Sequence, residues 1–522
     1  MFLKRMLTLL LAFVLGFTQH KGMWPLTLIQ QLQNDMQARG LQLTAEDIYS
    51  INKASVKDAV VRLMSKQNRM FCTGEIISEQ GLFLTNHHCG YGAIQELSTP
   101  EDNILANGFW AKSQAEERKA NFNIALLLKV EDVTSLVLDS IGTPADEAAR
   151  SKAIAERLPK LSAQLKEQFG ASKDNYLIEV VPFWAGNKYL AMFYEVYSDI
   201  RLVGTPPENI GKFGGETDNW MWPRHTCDFS MFRIYANAEN KPAGYSADNK
   251  PYKPRHFFPV NLQGVKENDY AMIMGYPGRT QRFTPSAGIK YYADKERPMR
   301  VKVRRDILDV YEEYMHADPN IKLMYADKFA GLSNYWKKFM GEADALKKLD
   351  LYSRRKAAES EFSIWASNKS QFGDVLSTFD KGFTDLTKIG MYSVYMQDGV
   401  SNSQPMVFAM GMNDLAAKLA DKTKADDAKK IAEEQLKGID EQFKEFYAPI
   451  EQRVLETVLR HLVEDLDPSQ LPAALVADAN KHSRNYKALA DDYWKRSMFV
   501  SKEKMAKFLK SPSLKALNKD PL

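Results

Sequence analysis

A change of texture near residue 285 constrains this chain most. Before it, short apolar or alternating runs dominate: Glu75 to Ser78, Gly81 to Thr85, Asn123 to Val130, Leu177 to Val181, Tyr189 to Val203, Asp228 to Tyr235 and Tyr270 to Gly275. They carry β-branched and aromatic residues and are bounded by Gly, Pro, Asn or Asp, the pattern of strands. A helical stretch interrupts them around Pro144 to Phe169. From about Lys290 onward Lys, Glu, Ala and Leu recur at helical spacing. Ile450, Val454, Leu455, Val458, Leu459, Leu462 and Leu466 form one apolar stripe between Pro449 and Pro468, and Asp414 to Phe446 is similar but more charged. At 522 residues the chain exceeds what one core usually serves. The expectation is a mainly β domain over 22–280 followed by a large α-helical domain over 281–522.

Hydrophobic residues at 44% and charged residues at 26% fit a soluble globular protein, and a net charge of +4 is small for this length. Neither nucleic acid nor an anionic membrane surface is indicated as a partner. Lys4 and Arg5 precede an apolar run from Met6 to Phe17, which suits the core of an export signal and is too short to span a bilayer. Residues 1–21 are therefore expected to be a cleaved export signal, leaving no membrane contact after cleavage, with a retained membrane anchor as the alternative. The three cysteines, Cys72, Cys89 and Cys227, fit one disulfide and one spare thiol in an oxidising compartment. The histidine and cysteine run lacks the paired C-x-x-C spacing of a zinc site, so neither metal nor other cofactor is expected.

Two segments carry residues suited to catalysis. The first runs Gly81-Leu-Phe-Leu-Thr-Asn-His-His-Cys-Gly90, an apolar strand ending in small and polar residues, with Cys72 seventeen positions before Cys89. A disulfide between those cysteines would fix the backbone beside His88, and a general base must be held within reach of a hydroxyl and an orienting carboxylate. The second is Gly214-Gly-Glu-Thr-Asp-Asn-Trp-Met-Trp-Pro-Arg-His-Thr-Cys-Asp228, just before a strand through Phe229, Met231 and Ile234. Asp228 can accept the histidine Nδ1 proton, or can simply be a turn aspartate. By chemistry alone His225 is a rival base and Asp218 a rival carboxylate, while Trp220 and Trp222 also suit a core.

The combination of Gly22-Met23-Trp24, Thr85-Asn86-His87-His88-Cys89-Gly90-Tyr91-Gly92-Ala93-Ile94-Gln95, Thr217-Asp218-Asn219-Trp220-Met221-Trp222-Pro223-Arg224-His225-Thr226, Asp228-Phe229-Ser230 and Gly275-Tyr276-Pro277-Gly278-Arg279-Thr280 resembles the bacterial dipeptidyl-peptidase 7 and dipeptidyl-peptidase 11 family of exported serine exopeptidases. The resemblance implies a chymotrypsin-like double β-barrel with an inserted α-helical domain, His88 as general base, Asp228 as orienting carboxylate, and Asn219 and Trp220 as the site for the free N-terminus of a peptide substrate. It admits a homodimer. Glu216 stands where the family pattern suggests aspartate and Cys227 where it suggests glycine; Cys227 is expected to be a small buried residue. Gly92-Ala93 after Tyr91 looks like the branch that prefers a hydrophobic P1 side chain.

The nucleophile departs from the resemblance. The family serine lies in a Gly-Asn-Ser-Gly-type turn, and no Gly-x-Ser-Gly sequence occurs here. Ser286, Ser401 and Ser403 lack the glycine turn that aims backbone amides at an oxyanion. The second barrel is therefore expected to be incomplete, the nucleophile to lie beyond residue 522, and this polypeptide to be inactive. The alternatives are a truncated, non-catalytic peptide-binding protein that keeps Asn219 and Trp220, and an adaptor that uses the helical domain alone.

Overall fold

A computed structural model describes residues 23–170, 175–278, 281 and 283–522. The expected signal segment, 1–21, lies outside the described residues. The chain forms two compact units. One gathers the described residues up to Phe213 with those of 226–282; the other gathers Gly214–His225 with Phe283–Leu522. The texture change thus coincides with the last of three crossings between the units, at 282/283, but the twelve residues Gly214–His225, which precede it in sequence, also belong to the helical unit.

The first unit holds the strands β1 (Val60–Met64), β2 (Met70–Ile76), β3 (Leu82–Thr85), β4 (Phe109–Trp110), β5 (Arg118–Lys119), β6 (Asn123–Asp132), β7 (Tyr176–Phe183), β8 (Lys188–Tyr197), β9 (Asp199–Thr205), β10 (Ser230–Ala236) and β11 (Lys250–Pro251). They make one antiparallel sheet in the order β4-β9-β10-β3-β2-β1-β6-β8-β7, with β5 also on β9 and β11 on β10. The sheet path has two ends, β4 and β7, and is not closed. Among the described residues helix exceeds strand, because the second unit contributes no strand there.

Most of the predicted runs are strands, with three instructive differences. Tyr189 to Val203 is two strands that pair with different neighbours, β8 with β6 and β7, β9 with β10, so the chain turns at Ser198. Val60–Met64, unmarked in the sequence, is buried on both faces and so shows no alternation. Tyr270 to Gly275 forms no strand: it pairs with nothing among the described residues, and Ile273 is fully exposed. A strand exists only through its ladder partners.

Two helices matter to the first unit. Asn86 ends β3 and α1 (His87–Glu96) begins at once. The helix α2 (Glu147–Gln168), capped by Asp146, buries Leu161 and Leu165 with Ile178 and Val180 of β7. In the second unit α3 (Arg297–Ala317), α4 (Pro319–Lys348), α5 (Ala448–Asp465) and α6 (Tyr486–Arg496) share one core. The predicted stripe of α5 is that core's spine: Ile450, Val454, Leu455, Val458, Leu459 and Leu462 are buried. Pro449 sits in its first turn, where the missing N–H costs nothing. Asp414 to Phe446 is broken into short helices, Asn413–Ala420, Ala425–Lys437 and Ile439–Gln442. Among the described residues no helix is long and apolar enough to cross a membrane.

Candidate active site

His88 occupies the second position of α1, where a strand becomes a helix. The first turn of that helix is tied on two sides. Cys89 is disulfide-bonded to Cys72 of β2, with 6.0 Å between the Cα atoms. Gly90 lies so close to β10 that an added Cβ would stand 2.5 Å from Ser230 Oγ and 3.1 Å from the Phe232 ring. Only a glycine lets the turn pack there.

Asp228 precedes β10 by two residues and faces this turn. Its Oδ1 accepts the backbone N–H of His88 at 3.0 Å, and its Oδ2 accepts from His88 Nδ1 at 2.8 Å. The carboxylate therefore does two things at once. It takes an orphan N–H at the positive end of α1, and it fixes the imidazole in the tautomer with the proton on Nδ1. Nε2 is then the nitrogen left to take a proton from a hydroxyl. The His88 side chain is 62% exposed and that of Asp228 18%, so the imidazole is open to an incoming group while its partner is half-buried. His88 also lies beside both sulfurs of the disulfide. Those sulfurs are bonded to each other and are not thiolate donors for a metal.

His87, the neighbouring histidine, has a different environment. It is buried against Tyr91, with Nδ1 3.1 Å from Thr205 Oγ1 and the backbone of Gly211 over its ring. Burial pushes its pKa down. The rival base His225 is exposed in the segment that joins the second unit, and the rival carboxylate Asp218 belongs to that same segment. Cys227 is exposed, contrary to the expectation of a small buried residue. It sits in an irregular stretch held by its amide on the Ile210 carbonyl at 3.1 Å, so its side chain meets solvent. Trp220 and Trp222 are not core residues either, being 56% and 93% exposed.

Within the second unit Asn219 and Trp220 follow a short helix, Gly215–Asp218. Asn219 is buried; its Nδ2 donates to Glu216 Oε2 at 3.2 Å and to Asn334 Oδ1 at 3.0 Å. Trp220, in the left-handed region at φ 60°, directs Nε1 to the Asn334 backbone carbonyl at 3.0 Å and to Oδ1 at 2.9 Å. Lys337, one turn along α4, donates to the Glu216 carbonyl at 2.5 Å and to the Thr217 carbonyl. Asn219 Oδ1 accepts from Arg224 Nη1 at 3.4 Å, so Glu216, Asn219, Trp220, Arg224, Asn334 and Lys337 form one hydrogen-bonded cluster.

Sequence reasoning missed Asn86, Ser230, Asn334 and Lys337. Asn86 stands inside the recognised run, but nothing in the run shows where its side chain goes. Asn334 is more than a hundred residues from Asn219, on a helix whose polar face looks like any solvated face. Ser286, Ser401 and Ser403 all belong to the second unit. Ser286 donates to Glu359 Oε2 at 2.6 Å, Ser401 to the Met396 carbonyl at 3.0 Å, and Ser403 is buried.

The Peptidase S46 family profile matches residues 19–522. The chain belongs to the peptidase S46 family. Similar S46 relatives include the Asp/Glu-specific dipeptidyl-peptidase of Flavobacterium psychrophilum, 37% identical over 500 residues that make up 95% of this chain and 68% of that protein. Dipeptidyl-peptidase 7 of Capnocytophaga gingivalis is 36% identical over 511 residues, 96% of this chain and 69% of that protein. Among solved structures, Porphyromonas endodontalis DPP11 in complex with the dipeptide Arg-Glu superposes with a TM-score of 0.83 at 32% identity, over 96% of this chain and 71% of that one.

Proposed function

We propose that this S46 chain carries the base and substrate-anchoring parts of a serine-type dipeptidyl-peptidase that releases dipeptides from the free N-terminus of peptides. The observation that carries the reading is the pair of hydrogen bonds from His88 to the Asp228 carboxylate, one from Nδ1 and one from the backbone amide. His88 Nε2 takes the proton of a serine hydroxyl as that oxygen attacks the scissile carbonyl, then returns it to the leaving amine, while Asp228 stabilises the imidazolium between the two steps. Asn219 and Trp220 hold the substrate's ammonium group, with Glu216 and Asn334 as further acceptors. That the matched relatives are dipeptidyl-peptidases favours this over a non-catalytic peptide-binding role.

The serine is assigned to sequence that this chain does not carry, since no Gly-x-Ser-Gly turn occurs in it, and the chain by itself is expected to be inactive. The open sheet is read as belonging to a double β-barrel: β5 pairs with β9 and stands just before β6 in sequence, which brings the β9 side of the sheet back towards the β6 side. The domain division at 280/281, export to the periplasm by residues 1–21, a homodimer and a hydrophobic P1 side chain complete the proposal. The last rests on Gly92-Ala93, small residues of α1.

The test joins residues 22–522 to the C-terminal third of an S46 relative and assays aminoacyl-aminoacyl-chromophore substrates, with free or acetylated amino termini and with hydrophobic or acidic P1. Activity that requires the free amino terminus and disappears in His88→Ala is the expected result. Turnover retained by His88→Ala would refute the assignment of the base, and an acidic P1 preference when the joined third comes from a dipeptidyl-peptidase 7 relative would refute the specificity.

A further inference from the structure

Asn86 occupies the N-cap of α1, and asparagine is among the residues best suited to cap a helix with its side chain. Here it does not do so. Its Nδ2 instead crosses to the segment before β10 and donates to Asp228 twice, to Oδ2 at 3.2 Å and to the backbone carbonyl at 3.2 Å. The vacated capping role passes to Asp228, whose Oδ1 takes the His88 amide.

This exchange has a purpose that the sheet cannot serve. Asp228 lies outside β10, and its ladder pairing to β3 begins only at Ser230, opposite Thr85. Its backbone is therefore not set by the sheet, while its carboxylate is expected to hold one tautomer of a largely solvent-exposed imidazole. Water competes for both oxygens at such a site. An amide that grips the carbonyl and the carboxylate of the same residue fixes the whole of Asp228, not only its side-chain torsion. Asn86 is in turn secured: its backbone carbonyl accepts from Ser230 Oγ at 3.0 Å, a fully buried hydroxyl that has room only because residue 90 is glycine.

We infer that Asn86 is a positioning residue for the His88–Asp228 pair, latched by Ser230 and acting by holding the Asp228 carboxylate in the orientation that keeps the His88 proton on Nδ1. The inference rests on the assignment of His88 and Asp228 as base and orienting carboxylate. It predicts a loss of tautomer bias, not a loss of fold, when Asn86 is changed.

The test uses the 522-residue chain with isotope-labelled histidines, His88 being assigned from the resonance missing in His88→Gln. The nitrogen shifts of the neutral imidazole read which ring nitrogen carries the proton. Wild type should show His88 strongly biased to Nδ1–H, Asp228→Asn should abolish the bias, and Asn86→Ala should reduce it towards that of an unbonded imidazole. Asn86→Ser retains a good capping residue at the helix start but is too short to reach the carboxylate. It should lose the bias to the same extent with thermal stability nearly unchanged, which separates positioning from folding. Bias lost in Asp228→Asn but intact in Asn86→Ala and Asn86→Ser would overturn the role of Asn86 alone. A wild-type His88 with no bias would overturn the pairing itself and the inference with it.

Discussion

Removing the disulfide beside His88 should cost the first unit several kilocalories per mole without touching a hydrophobic core. Cys72 and Cys89 are separated by 17 residues, and a cross-link of that span removes loop-closure entropy from the unfolded chain worth about 3 kcal/mol at 25 °C in the chain-entropy model. Because β2 and β3 form a hairpin within that span, joined by the Ile77 amide on the Leu82 carbonyl at 2.8 Å, the native backbone already holds the ends together. The stabilisation therefore acts mainly on the unfolded side. For a unit of this size, about 3 kcal/mol corresponds to a fall of roughly 6–12 °C in its melting temperature. The measurement is calorimetry of Cys72→Ala/Cys89→Ala against wild type and against Cys227→Ala, which removes the exposed thiol and leaves the cross-link. Amide exchange over residues 86–92 should also quicken in the double variant, since the first turn of α1 then loses its covalent tie to β2. A double variant that melts within about 2 °C of wild type, or a Cys227→Ala shift of equal size, would refute the reasoning.

Gly90→Ala should destabilise the first unit by about 1–3 kcal/mol in denaturant titrations, because its Cβ would press on Ser230 Oγ and the Phe232 ring, and neither belongs to a flexible surface side chain. Acid should weaken the second unit through Asp465. Burial raises the pKa of that carboxyl, but hydrogen bonds from Lys302, Tyr395 and His461 outweigh it and hold the value at about 2. A depressed pKa means that the stability it contributes is complete above the ordinary value of 3.8 and is lost as pH falls through about 2. Asp465→Asn should flatten the melting temperature of that unit across this window relative to wild type; an unchanged acid limb would contradict it.

The legibility of this protein differs from element to element for physical reasons. The α5 stripe could be read because a helix records its buried face in its own sequence at a period of 3.6. The strand before His88 could be read because the unbroken apolar run Leu82-Phe83-Leu84 is bounded by Gly81 and Asn86. Neither local pattern says what a strand pairs with, so Val60–Met64 was invisible and Tyr270 to Gly275 looked like a strand without forming one.

The site divides along the same line. Sequence by itself determined the residue types around His88, the span between Cys72 and Cys89, and the family to which the run of motifs points. It left Asp218 and His225 as rivals, because distance across a fold is not written in spacing. Only the tertiary structure decided that Asp228 accepts from both His88 nitrogens named above, that Asn86 forsakes its own helix to reach it, and that Asn334 meets Asn219 and Trp220. Hydrogen bonds between residues more than a hundred positions apart exist only once the backbone between them has folded, and no local pattern records them.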